Sequence, residues 1–147
     1  MRSLMHIRLA NIDDAPALQS VFAACIAEAP WLPEQARQEQ DFAAVSQGEK
    51  ILLALATNQQ LLGFISIQND PPFIHHLFVR QEARGMGVGK NLLRALLPHL
   101  ATPWQLKCVR ANQQALAFYQ SLGWFEVGAG ESEQGAYALL QWPPLRT

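Results

Sequence analysis

The sequence predicts an α/β fold: one domain of about seven strands and four helices. Three observations predict it. Residues 51–57, 61–68 and 73–79 are apolar runs parted by short turn sequences, as in successive antiparallel strands. Apolar residues recur at helical spacing before and after them. Between the third run and the next helix lies Arg84-Gly85-Met86-Gly87-Val88-Gly89-Lys90, whose alternate glycines let the backbone curl tightly at the join.

In chain order, residues 6–9 alternate weakly and read as a first short strand. Asp13 suits a helix N-cap and places Pro16 in the first turn, where its missing N–H costs nothing. Ala15, Leu18, Phe22, Cys25, Ile26 and Ala29 then mark one helix face. Pro30 and Pro33 interrupt the chain around Trp31 and Leu32. A loosely amphipathic second helix is expected over 34–46, with Ala36, Phe42, Ala43 and Val45 as its apolar members and Gly48 as its end. This segment has the makings of a substrate cleft in which Glu28, Glu34, Glu39 or Asp41 attracts an amine. Solvated acidic helix faces around a core tryptophan are the plainer account of the same residues, and the preferred one.

Asn58-Gln59-Gln60 and Asn69-Asp70-Pro71-Pro72 supply the turns of the strand meander. The glycine stretch leads into a helix at 91–100, where Val88, Leu92, Leu93, Leu96, Leu97 and Leu100 form one apolar stripe. Residues 104–109 read as the fifth strand. Asn112 caps a helix carrying Ala115, Leu116, Tyr119 and Leu122 on one side, and Gly123 follows its end. Residues 125–127 and 136–142 read as the last strands, with a polar loop over 128–135.

Composition bounds the function. At 147 residues, roughly 70% of the unfolded surface can be buried in one domain. Half of the residues are hydrophobic and 16% are charged, which excludes a disordered chain. The net charge of −1 argues against a dedicated nucleic-acid binder. Residues 1–50 are net −3 and residues 51–147 net +2, a split that suits a polyanionic cofactor on the second half and a cationic substrate near the first. Cys25 and Cys108 show no metal-binding or redox spacing, so reduced buried thiols in a cytoplasm are expected, with no metal. The opening Met1-Arg2-Ser3-Leu4-Met5-His6 lacks the apolar core of a signal peptide, and no apolar run reaches membrane-spanning length.

The glycine stretch points to an anion. A helix start presents unpaired N–H groups and the positive end of its dipole, and here both face the curl. Arg80, Arg84, Lys90 and Arg94 add positive charge, opposed by Glu82. A P-loop would need a glycine where Arg84 stands and Ser or Thr where Asn91 stands, and a dinucleotide fingerprint would need a glycine in place of Lys90. Both fail.

What fits is R/Q-x-x-G-x-G/A, as Arg84, Gly87 and Gly89. With Leu77-Phe78-Val79 before it, this resembles the acetyl-CoA pyrophosphate loop of the GNAT family, the GCN5-related N-acetyltransferases. Downstream, Asn112-x-x-Ala115-x-x-Phe118-Tyr119-x-x-Leu122-Gly123-Trp124 is similar to the family signature N-x-x-A-x-x-F/Y-Y-x-x-x-G-F. Two motifs in the right order, one helix and one strand apart, are far more specific than either alone. Gln81 departs from the proline that the family often has there, a change that only loosens a turn.

The resemblance implies a mixed, mostly antiparallel sheet whose fourth and fifth strands splay apart around the pantetheine arm of acetyl-CoA. Backbone groups of Leu77, Phe78 and Val79 would pair with that arm. Amides of Arg84, Gly85, Met86, Gly87, Val88, Gly89 and Lys90 would hold the diphosphate, and Asn112 and Phe118 would help fix the cofactor. Tyr119 matches the family's general acid beside the thioester sulfur. Family members are often dimers through their last strands.

The expected activity is acetyl transfer to a primary amine, on a small molecule or a protein, by direct attack in a ternary complex. A protonated amine cannot attack a thioester, so a base must take its proton, and backbone N–H groups must stabilise the tetrahedral oxyanion. His75 and His76 are the candidates in the fourth strand. Neighbours on a strand face opposite sides, so at most one of them faces the site. The resemblance implies His75, which shares strand parity with the positions where related enzymes place a base, and leaves His76 structural; a β-bulge would exchange those roles. A water chain is the other route. The rival reading is a GNAT-like module that binds acyl-CoA without turnover. Residues 28–42 and 128–136, expected to face the substrate, carry no signature of the acceptor.

Overall fold

Apolar runs on both sides of the central strands set the architecture of the computed structural model, which describes residues 5–37 and 40–143, Ala36 by its backbone alone. Residues 1–4, the Ala36 side chain and Glu39 lie outside the described residues. Strands β1 (His6–Leu9), β2 (Lys50–Leu55), β3 (Leu61–Gln68) and β4 (Phe73–Val79) form the antiparallel meander. Strands β5 (Trp104–Val109), β6 (Phe125–Ser132) and β7 (Gly135–Trp142) complete a seven-stranded sheet of order β1-β2-β3-β4-β5-β7-β6. The pair β4–β5 is parallel and the other pairs are antiparallel.

Because β2 and β3 are buried on both faces, alternate residues feed two cores. Leu52, Ala54, Ile65 and Ile67 pack with Val88, Leu92 and Leu96 around helix α3 (Val88–Ala95), and this core continues to Tyr119 on helix α4 (Gln113–Ser121). Leu53, Leu55 and Phe64 pack on the other face with Leu18, Val21 and Phe22 of helix α1 (Ala15–Ala27) and with Phe42 of the single turn α2 (Phe42–Val45). Among the described residues no helix is long and apolar enough to cross a membrane.

Four expectations need correction. The α1 entrance is capped by Asn11 rather than Asp13: the Asn11 side chain accepts from Asp13 N, and Asp14 returns a bond from Asn11 N, closing a capping box on a short 3₁₀ turn. The helix expected over 34–46 breaks into a 3₁₀ turn, Glu34–Arg37, and α2. Gln19 forces the break by binding Gln40 O (2.7 Å) and Phe42 N (2.8 Å), and Asp41 caps the new turn. Leu97 leaves the apolar stripe, since α3 ends at Ala95 and the turns that follow leave Leu97 55% exposed.

The loop expected over 128–135 shrinks to a turn at 133–134, and the rest of it is strand. β6 runs to Ser132 and pairs with β7 through a tight hairpin. A Cβ on Gly130 would collide with the Tyr137 ring and its hydroxyl, so glycine there makes room for the ring to lie across the edge strand.

Candidate active-site cleft

The cleft begins where one ladder stops. β4 and β5 pair through Phe73 with Gln105 and Ile74 with Leu106 and then part. Beyond that point lies a cleft of ≈ 830 Å³, bordered by Leu77, Phe78 and Val79 on one side and by Asn112, Phe118 and Tyr119 on the other. Its end is closed by the glycine loop and the start of α3, and its rim by Glu28, Ala29, Pro30 and Trp31 after α1.

The loop has the backbone geometry of an anion cradle. Gly85 and Gly87 have φ of +84° and +81°, a left-handed conformation that side chains resist. Gly87 is the N-cap of α3 and offers no capping side chain, and the first turn holds no acid. The first intrahelical bond is Asn91 N to Gly87 O, which leaves the amides of Val88, Gly89 and Lys90 without a helical partner. Gly89 has a second reason: a Cβ there would stand 3.1 Å from the Phe118 ring. Gly85, Gly87, Val88, Gly89 and Lys90 all line the cleft, whereas the Met86 side chain is exposed and turned off it.

Of the four cations expected around the loop, Arg84 and Lys90 line the cleft. Arg80 donates from Nε to Leu61 O (2.6 Å) and pairs with Glu82, and Arg94 is exposed on α3. Arg84 donates from Nε to Val79 O (3.2 Å), and its Nη2 lies 3.6 Å from Glu28 Oε2. Cys25, read as a core thiol, also reaches this point and donates to Val79 O (3.5 Å). Burial raises its pKa, so it stays a thiol.

On the opposite wall Asn112 caps α4, accepting from Ala115 N (3.2 Å), while its residue still borders the cleft. Tyr119 is 8% exposed and sits edge-on to Phe118 and Trp124. Burial raises the pKa of its phenol, with a smaller push from Cys108, so the hydroxyl keeps its proton at any ordinary pH. Burial also pushes the Cys108 thiol up to about 11.

The two histidines are placed differently from the strand rule. In the β3–β4 ladder Ser66 pairs with His76 and Ile67 with Ile74, so His75 is the extra residue of a β-bulge. Both histidines now reach toward the same β3 face, His75 to Gln68 (3.2 Å) and His76 beside Ser66, with their rings 6.5 Å apart. Neither borders the cleft. His75 is exposed. His76 stacks on Phe78, which does border the cleft, and is enclosed by Phe22 and Phe42. Its Nε2 lies 3.9 Å from Glu49 Oε1. Desolvation lowers the His76 pKa and His75 lowers it further, against the raising effect of Glu49, so the neutral ring is favoured.

A family model described as "Acetyltransferase (GNAT) domain" matches residues 19–139, which include the glycine loop and both walls of the cleft. The chain belongs to the GNAT family. Solved GNAT structures share its fold along nearly the whole chain. A GCN5-related N-acetyltransferase from Rhodopseudomonas palustris superposes with a TM-score of 0.80 at 21% identity, covering 96% of each chain. YjaB from Escherichia coli gives 0.76 at 21% identity, covering 95% of this chain and 96% of its own. The protein yncA from Salmonella typhimurium, solved with its cofactor acetyl-CoA, gives 0.71 at 16% identity, covering 95% of this chain and 93% of its own.

Proposed function

We propose that the protein transfers the acetyl group of acetyl-CoA to a primary amine by direct attack in a ternary complex. The observation that carries this reading is the parting of β4 from β5 beside a glycine-cradled helix start, with Tyr119 on the facing wall. The cleft volume of ≈ 830 Å³ is of the size that takes a cofactor. The free β4 edge at Leu77, Phe78 and Val79 suits the amide-bearing pantetheine arm, and the amides of the 84–90 loop suit a diphosphate. Phe118 backs Gly89 and keeps the loop close to α4.

Bound there, acetyl-CoA supplies an activated acyl group, and the chain's own residues handle charge and protons. A free β4 N–H stabilises the oxyanion. Tyr119, held as a phenol, donates a proton to the departing sulfur and recovers one from the acetylated nitrogen, which sheds its second proton as the intermediate collapses. The bulge passes the acceptor role from His75 to His76, whose neutral ring is one aromatic layer behind the lining and takes the amine proton through water. Reduced Cys25 and Cys108 and a cytoplasmic setting agree with this chemistry.

Calorimetry with CoA and thiol release from acetyl-CoA over a panel of amines test the reading. Expected are saturable CoA binding and amine-dependent thiol release with a KM of about 1 μM–1 mM. Absence of CoA binding overturns the whole proposal. Binding without thiol release would leave an acyl-CoA-binding module.

A further inference from the structure

We infer that Glu49 is a positioning residue for proton transfer: anchored by Ser66, it orients His76 and carries its proton to a second cavity. The inference rests on His76 as the acceptor in the reading above.

Glu49 stands just before β2, where its backbone N–H donates to Ser46 O (3.0 Å). Ser66 is fully buried and donates its hydroxyl to Glu49 Oε1, the same oxygen that faces His76 Nε2 at 3.9 Å. Ser66 is also the residue opposite His76 in the ladder. Three polar groups from separate parts of the chain thus meet inside a wall of Phe22, Phe42 and Phe78. A carboxylate at 12% side-chain exposure is costly there, and an apolar residue of similar size would stabilise the core as well.

What Glu49 touches on its other side gives it a use. It borders a cavity of ≈ 480 Å³ on the α1–α2 side, shared with Asn11, Ser46 and Lys50. One proton leaves the ammonium through water for neutral His76, and the imidazolium so formed faces the Glu49 carboxylate. Glu49 takes that proton and releases it to water in the cavity, which restores neutral His76. One proton leaves per acetyl group transferred, and no electrons move. The charged and titratable groups around this path are Glu49 from the β2 start, His75 from β4 and Lys50 in the cavity; α1, α2 and β3 contribute Phe22, Phe42 and Ser66, which do not titrate.

The test is an NMR titration of the His76 imidazole in the full-length protein, compared with the pH profile of kcat/KM for acetyl-CoA and the fastest amine of the panel. A carboxylate favours the imidazolium, so Glu49→Gln lowers the His76 midpoint by about one pH unit. The acid limb of kcat/KM moves down by the same interval. kcat falls about tenfold, part of the ~10²-fold or more that a general base supplies. Ser66→Ala, which frees the carboxylate without removing it, gives a smaller shift of the same sign. Should Glu49→Gln not fold, Glu49→Asp and Ser66→Ala decide in its place. An unchanged His76 midpoint with an unchanged acid limb overturns the inference. If instead His76→Gln keeps the wild-type kcat and acid limb, the acceptor assignment fails, whatever the titration shows.

Discussion

The two faces of the sheet hold their polar groups in different ways. Under α3 and α4 the polar groups that border the cleft are mostly backbone: the amides of the 84–90 loop and the free β4 edge, joined by one phenol. Under α1 and α2 it is side chains, with Glu49, Ser66 and His76 drawn together from three separate segments and enclosed by phenylalanines. A backbone site is built by a few adjacent residues and tolerates change in the side chains around it. A side-chain site depends on long-range packing and fails when any one member moves.

Tyr119 is where this contrast is easiest to break, because it is a side chain on the backbone-built face. Tyr119→Phe is expected to lower kcat by about 10²-fold or more, with CoA affinity by calorimetry unchanged. Because burial raises the phenol's pKa, it stays protonated throughout the working range. The shape of the basic limb of the pH–rate profile therefore stays the same in the variant. The α3 packing gives the next largest effect. Leu96, fully buried, should lose about 3 kcal/mol on truncation to alanine, whereas Leu97→Ala should cost less than about 0.5 kcal/mol in denaturant titrations.

Gly87→Val tests the backbone claim directly. A β-branched residue at φ +81° costs about 2 kcal/mol. If the loop opens to relieve it, CoA affinity falls about thirtyfold with only a small loss of melting temperature. The smallest effect concerns the α1 entrance. Arg8 holds Asp14 in a two-bond pair of 2.8 and 2.9 Å and lowers its pKa, helped by the Asn11 amide. A carboxylate with a depressed folded pKa stabilises above its unfolded value of 3.8 and loses that contribution as pH falls through the folded value. Asp14→Asn should therefore cost about 1 kcal/mol near neutrality and little in strong acid, as melts across that range would show.

The same contrast explains what could be read in advance. β3, β4 and β5 have the expected bounds, the glycine loop forms the end wall of the cleft, and Asn112 caps α4, because turn residues and apolar runs act over a few positions. The Glu49–Ser66–His76 cluster has no such signal, since Ser66 lies 17 residues from Glu49 and the three share no element. The bulge at His75 leaves no mark in composition, yet it turns both histidines to one side. Gln19, 23 residues before Phe42, breaks the second helix through contacts that no local pattern records. β6 looked like a loop because its residues are polar and glycine-rich, and only the Tyr137 ring across Gly130 shows why that composition suits an edge strand.

The pairing of Glu28 with Arg84 sets the terms on which the cleft fills. The guanidinium already has a carboxylate 3.6 Å away, so a diphosphate drawn to Arg84 would compete with Glu28 instead of meeting a bare cation. Displacing Glu28 strands a negative charge just past the C-terminal end of α1, the end at which the helix dipole disfavours it. Pro30 and Trp31 follow Glu28 closely in the chain and border the same cleft, so a carboxylate released from Arg84 would come free on that rim.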